Sequence, residues 1–359
     1  MSRPKVRDDV ALMDGYHSPQ LSVAVRLNTN EAPEPPPTRF RERLAAAVAD
    51  VEWHRYPDRS ASGLRARIAE VEGVAGGADQ VFAANGSNEV LQTLLLTYGG
   101  AGRTAVTFEP TYALHAHISR ICGTRVVEGE RTDDFAVDLD HVAAVVRAER
   151  PTVTFLCSPN NPTGMVETEA TVRAVLDLVR EVDGLLVVDE AYGQFAPWSA
   201  LSLVDEDTPL VVTRTYSKTW SMAAARLGYL VGPSWLVAEL DKVVLPYHLD
   251  ALKQIAGTLA LDELDEMRAR VASLVEERGR VVAGLAELDV DQWPSGANFV
   301  LFRPRSRSGN DVWQAMVDRG VLVRNCASWP RLADCLRVTL GTGAENDAFL
   351  SALAEALES

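Results

Sequence analysis

Four short segments carry side chains that could do chemistry together. Thr213-Arg214-Thr215-Tyr216-Ser217-Lys218-Thr219-Trp220 follows an apolar run and sets a lysine in apolar company. Desolvation lowers the pKa of such an amine and leaves it a nucleophile. Leu185-Leu186-Val187-Val188-Asp189-Glu190-Ala191-Tyr192-Gly193 ends an apolar strand on a carboxylate. A buried carboxylate needs a cation, and a protonated ring nitrogen is one candidate; an N-cap for the next segment is the other reading. In Ser158-Pro159-Asn160-Asn161-Pro162-Thr163-Gly164, two prolines and a glycine either aim an asparagine amide into a cleft or make a plain turn. Asn85-Gly86-Ser87-Asn88-Glu89 opens a helix after another apolar run. Its free N–H groups and dipole suit a phosphate, while Ser87 equally serves as an ordinary N-cap. Arg226 stands eight residues beyond the lysine. Each segment alone says little; their order on one frame is informative.

That frame is an alternation of two periods. Short apolar runs at 81–84, 104–108, 152–157, 185–189, 210–213 and 227–231 read as strands. Between them, Leu64, Ile68 and Val71 share a helical face, as do Val90, Leu91, Leu94 and Leu95, and Val172, Val175, Leu176 and Val179. The expected fold is α/β: a mostly parallel central sheet flanked by helices, with ligands beyond the carboxyl ends of the strands. From about residue 265 the pattern changes to a charged amphipathic helix over 264–288, strands at 298–302, 321–324 and 336–340, and a helix around 311–319, which predicts a smaller α+β domain. Pro33-Glu34-Pro35-Pro36-Pro37 reads as an extended connector. The division is an arm and connector over 1–37, a large domain over 38–264 and a small domain over 265–359.

With 359 residues, 47% of them hydrophobic, the chain can fill more than one core. No apolar run is long enough to span a bilayer and the start lacks a signal peptide, so a cytoplasmic protein is expected. The four cysteines lack CxxC or metal spacing and read as reduced and structural. A net charge of −15 argues against a nucleic-acid surface, so an anionic substrate must be held by local arginines. Gly99-Gly100-Ala101-Gly102 precedes a strand instead of opening a helix, so it is no dinucleotide fingerprint.

Read in order, the segments above resemble the fold-type-I aminotransferases, and within them the histidinol-phosphate aminotransferases of actinobacterial type. The likeness also rests on Leu27-Asn28-Thr29-Asn30-Glu31, His54-Arg55-Tyr56-Pro57-Asp58, Arg226-Leu227-Gly228-Tyr229, Leu245-Pro246-Tyr247-His248-Leu249, Ala297-Asn298-Phe299-Val300-Leu301-Phe302 and Leu336-Arg337-Val338-Thr339. It implies pyridoxal 5'-phosphate as cofactor, with Lys218 carrying it covalently and moving the substrate proton. It further implies that Asp189 pairs with the ring nitrogen, that Asn161 and Tyr192 bond the phenolic oxygen, and that Tyr112 stacks on the ring. The cofactor phosphate would lie among Gly86, Ser87, Thr215, Ser217 and Arg226. Arg337 and Arg324, with Asn28 and Asn161, would face the substrate. Tyr16, and Tyr56 from a neighbouring subunit, would complete a phosphate pocket in a homodimer. The implied reaction moves the amino group of L-histidinol phosphate to 2-oxoglutarate, with no metal, membrane or nucleic acid involved.

Three stretches depart from the family pattern. Asp250 and Ala251 replace small hydroxyl residues after Leu249, Trp220 adds bulk near Lys218, and Asn325-Cys326-Ala327-Ser328-Trp329-Pro330 is unfamiliar, with Trp329 a candidate to close the pocket. A second reading therefore keeps the cofactor and changes the substrate or reaction: an aromatic aminotransferase, a decarboxylase or a cyclase. A non-catalytic regulatory domain is a third, against which stands the retained Lys218.

Overall fold

The computed structural model describes residues 3–11, 13, 15 and 21–358. Seven strands form the larger sheet: β2 (Val81–Ala84), β3 (Thr104–Glu109), β4 (Arg125–Glu130), β5 (Val153–Cys157), β6 (Leu185–Asp189), β7 (Leu210–Thr215) and β8 (Gly228–Val231). Their order is β2-β8-β7-β6-β5-β3-β4, all parallel except β8, which runs against both neighbours. Strands β2, β3, β5, β6, β7 and β8 are buried at every residue, as helices on both faces require. Side chains alternate between two cores. Val153, Phe155, Leu185, Val187 and Val211 meet the helices Ser87–Tyr98 and Ser234–Val243 on one face. Leu156, Leu186, Val188, Leu210 and Val212 meet Leu139–Glu149 and Glu169–Arg180 on the other.

A second sheet of five strands has the order β1-β11-β12-β10-β9, from β1 (Val25–Leu27), β9 (Val290–Gln292), β10 (Phe299–Pro304), β11 (Val321–Asn325) and β12 (Leu336–Thr339). Its core is Phe299, Phe302, Val323, Val338 and Phe349 with the helices Leu264–Ala286 and Gly343–Glu358. Strand β1 comes from the stretch the sequence reading places in the arm, and pairs with β11 in parallel.

This topology gathers the chemistry. Parallel β5, β6 and β7 end together, with Cys157 opposite Asp189 and Asp189 opposite Thr213, so the loops after them emerge at one edge. The reversed β8 starts where β7 and β2 end, with Gly228 opposite both Thr215 and Ala84. Arg226 and the Ser87 helix start thereby reach the same edge. Across the gap, β1 lays Leu27 opposite Val323, which brings residues 28–30 beside β11 and β12. Among the described residues, no helix is long and apolar enough to cross a membrane.

Candidate active site

Between the two sheets lies a cavity of about 410 Å³, within the usual range for small-molecule sites. Lys218 enters it from the loop after β7 and donates from Nζ to the Thr29 carbonyl at 3.2 Å. Burial, and then the Arg337 and Arg226 guanidiniums, lower its pKa to about 8, while Glu31 works the other way. A sizeable fraction of this amine is therefore neutral at mildly alkaline pH and able to attack a carbonyl carbon.

Asp189, at the end of β6, is buried against the sheet. Its Oδ2 lies 2.9 Å from His115 Nε2 and its Oδ1 accepts from the Ala191 N–H at 3.0 Å. His115 is itself buried and stacked on Phe155 with ring centroids 4.7 Å apart. The carboxylate is thus fixed in direction, with its cavity side available to a cationic nitrogen.

A cup for an anion forms where three elements meet. Gly86 caps the helix Ser87–Tyr98 with a φ of 81°, a conformation that side chains rarely adopt, and a Cβ there would stand 2.9 Å from Arg226 Nη2. Gly228 packs so closely that a Cβ on it would lie 2.4 Å from the Ser87 nitrogen. Into this space face the Thr215 and Ser217 hydroxyls, 3.0 Å apart, and Arg226, which donates to Ser217 Oγ at 3.4 Å. Helix N–H groups, hydroxyls and a guanidinium together are a donor set for phosphate. Tyr112 lines the cavity beside this cup and donates to Asn88 Oδ1 at 3.3 Å.

The opposite wall is cationic. Arg324 and Arg337 face each other across the β11–β12 ladder, and both line the cavity. Like charges at opposed positions are unfavourable without an anion to share. Arg337 donates to Asn161 Oδ1 and, at 3.2 Å, to the Asn28 carbonyl, while its buried Nε has no partner among the described residues. Tyr192 accepts from Asn30 Nδ2 at 2.9 Å, and burial pushes its pKa up to about 12. The neighbouring Asn160 is spent on structure, bonded to Pro110, Thr111 and Thr163.

The structure thus brings Asn28, Ser87, Tyr112, Asn161, Asp189, Tyr192, Thr215, Ser217, Lys218, Arg226, Arg324 and Arg337 to one cavity, with Gly86 behind its wall. Tyr56 does not reach it: the ring is exposed and stacked on Tyr247 at 4.4 Å. Tyr16 lies outside the described residues. Two departures read differently in three dimensions. Trp220 turns away from the cavity into the core, 5.7 Å from Tyr216, because its neighbours there are Leu64, Met222 and Leu227. Asp250 caps the helix Ala251–Leu261, accepting from the Lys253 N–H at 2.9 Å and pairing with the Lys253 amine. Sequence reasoning missed His115, whose only signal was a histidine on the apolar face of the helix Leu114–Ile121, and it missed Thr29, Asn30 and Glu31 as cavity residues.

These features ask for one group that offers an aldehyde to the amine, a basic ring nitrogen to the carboxylate and a phosphate to the cup. Pyridoxal phosphate carries all three, which defines the class as that of the pyridoxal-phosphate enzymes. Comparison with known proteins agrees. The family described as aminotransferase class I and II matches residues 22–353, and the chain belongs to it. A histidinol-phosphate aminotransferase from Mycobacterium marinum is 44% identical over 97% of this chain and 91% of its own length. One from Nocardia farcinica is 44% identical over 93% of this chain and 87% of its own. Among solved structures, histidinol-phosphate aminotransferase from Sinorhizobium meliloti in complex with pyridoxal-5'-phosphate superposes with a TM-score of 0.87 at 23% identity, covering 99% of this chain and 98% of that one. At that identity, the likeness speaks for the fold.

Proposed function

We propose that the protein transfers the amino group of L-histidinol phosphate to 2-oxoglutarate, with Lys218 as the covalent anchor of pyridoxal phosphate and the carrier of the substrate proton. The bound cofactor supplies an electron sink for the pair left when the substrate's Cα–H bond breaks. Lys218 Nζ, its pKa near 8, takes the Cα proton and returns it on the other side of the reaction. Asp189 keeps the ring nitrogen protonated, and His115 holds that carboxylate in place. Ser87, Thr215, Ser217 and Arg226 would hold the cofactor phosphate, and Tyr112 would cover the ring. Tyr192 and Asn161 would bond the phenolic oxygen.

The observation that carries the substrate assignment is the opposed arginine pair. Two guanidinium forks within one ladder step suit a dianionic phosphate, and the same wall accepts a carboxylate of glutamate in the return half-reaction. The curated relatives named above point to the same substrate. Arg337→Ala and Arg324→Ala should each raise KM for histidinol phosphate by about tenfold to a hundredfold, the loss of a charge-assisted hydrogen-bonded contact. Unaltered kinetics in both would contradict the reading, and a donor panel in which other amines outrun histidinol phosphate would favour the changed-substrate alternative. A homodimer belongs to the same proposal: Trp53, Tyr56, Leu245 and Tyr247 are exposed apolar side chains, and Tyr56 would serve the partner's site.

A further inference from the structure

The loop between β11 and β12, residues 326–335, is more than a connection. Trp329 lines the cavity, and its ring lies under both arginines: the guanidinium carbon is 5.7 Å from the ring centroid for Arg324 and 5.9 Å for Arg337. Arg337 also stands 5.0 Å from the Phe299 ring, so it lies over two aromatic rings. Both distances to the indole are within the reach of a cation–π attraction, and the negative face of one ring can offset the repulsion of two cations at once.

The indole is not free to leave. Cys326, Leu332 and Cys335 are buried in a small cluster with Phe135 and Leu301, and Trp329 packs against it. The backbone closes on itself through Cys326 N–H to Cys335 O at 3.0 Å and Trp329 N–H to Cys326 O at 2.9 Å. Arg331 ties the loop to the larger sheet's side of the molecule, through the Arg131 carbonyl and Asp133.

We propose that Trp329 is a specificity-determining residue: its ring holds Arg324 and Arg337 as one dicationic fork that prefers a doubly charged phosphate to a single carboxylate. The inference rests on the reading that these arginines receive the substrate's phosphate. A carboxylate can occupy one guanidinium and gains little from the second. A phosphate monoester dianion spans both, so its binding falls when the fork loosens.

The test compares Trp329→Leu, which keeps apolar bulk without a π face, with Trp329→Phe, which keeps a ring. In the cofactor-loaded enzyme, Trp329→Leu should raise KM for histidinol phosphate about tenfold, the scale of a desolvated cation–π contact. KM for glutamate should change less than about twofold, kcat for either substrate should hold within about twofold, and Trp329→Phe should recover most of the loss. Equal rises for both substrates, or a phenylalanine variant as weak as the leucine variant, would overturn the proposal. Should the wild-type enzyme not turn over histidinol phosphate, the functional reading falls separately. Titration of inorganic phosphate into the cofactor-loaded wild type and Trp329→Leu then still decides: about tenfold weaker binding in the variant supports the fork, and equal binding removes it.

Discussion

A lysine amine drawn in among guanidiniums is a cost to the folded chain that only chemistry repays. Lys218 has a folded pKa of about 8 against an ordinary value of 10.5. Between those two values the unfolded chain binds more protons than the native one, so stability of the cofactor-free protein rises with pH across that window. Below about 8 the full penalty of the charged, buried amine is present. Lys218→Met should therefore raise Tm of the cofactor-free protein near neutral pH by roughly 2–4 °C, and change it little above the upper value. Paired thermal melts at the two pH values check this; equal shifts at both would contradict it. The same titration predicts that capture of pyridoxal phosphate by the cofactor-free protein speeds up as pH rises through about 8, since only the neutral amine attacks.

At the scale of elements, two contacts make the site depend on packing that touches no substrate. Strand β8 can lie against the start of the Ser87 helix only because position 228 has no side chain, so Gly228→Ala should push the cup open. The expected result is cofactor binding weakened by about tenfold or more, with turnover recovering at saturating cofactor, read by absorbance titration. Next to Asp189, Arg214 on β7 is buried and pairs with Glu190 at 2.8 Å and Glu72 at 2.7 Å. Burial opposes the charge on Arg214, but the two carboxylates outweigh it and raise its pKa. Removing it leaves two acids without their cation, and Arg214→Met should cost about 3–5 kcal/mol in denaturant unfolding. The elements carrying these residues were legible in sequence where burial is complete: the apolar runs behind Asp189, Cys157 and Thr215 sit in the observed strands because a doubly covered sheet leaves no polar face to confuse the pattern. Strand β4 escaped notice for the opposite reason, being an edge strand of Arg-Val-Val-Glu-Gly-Glu with most residues partly or fully exposed. Strands β1 and β9, three residues each, are too short to show a period. Motif reading singled out Lys218 and Asp189 because each follows an apolar strand, and Arg337 came from the family resemblance alone, whereas His115 sits within a helix and reveals itself only through its contact with Asp189. Chain proximity misled at Trp220: two residues past the lysine, the backbone has already turned toward the core.

Over the whole molecule, charge and shape pull in different directions. The chain carries a net charge of −15 while one cavity wall is built on Arg324 and Arg337, so the proposed anionic substrate would be held by a local field against a repelling background. The exposed Trp53, Tyr56, Leu245 and Tyr247 add an apolar surface that a second copy would cover. Sedimentation equilibrium should give about twice the 39.0 kDa chain mass, and Tyr247→Glu should shift it toward the monomer; a monomeric wild type would contradict the shared site.

The bond proposed between one amine and the cofactor is easy to test because the chain holds four lysines: Lys5, Lys218, Lys242 and Lys253. Protein supplied with pyridoxal phosphate is reduced with borohydride, digested, and mapped by mass spectrometry. A phosphopyridoxyl mass on the peptide bearing Lys218, with the other three lysines unmodified, is the predicted result. An unmodified Lys218, or a label spread over the other three, would contradict it.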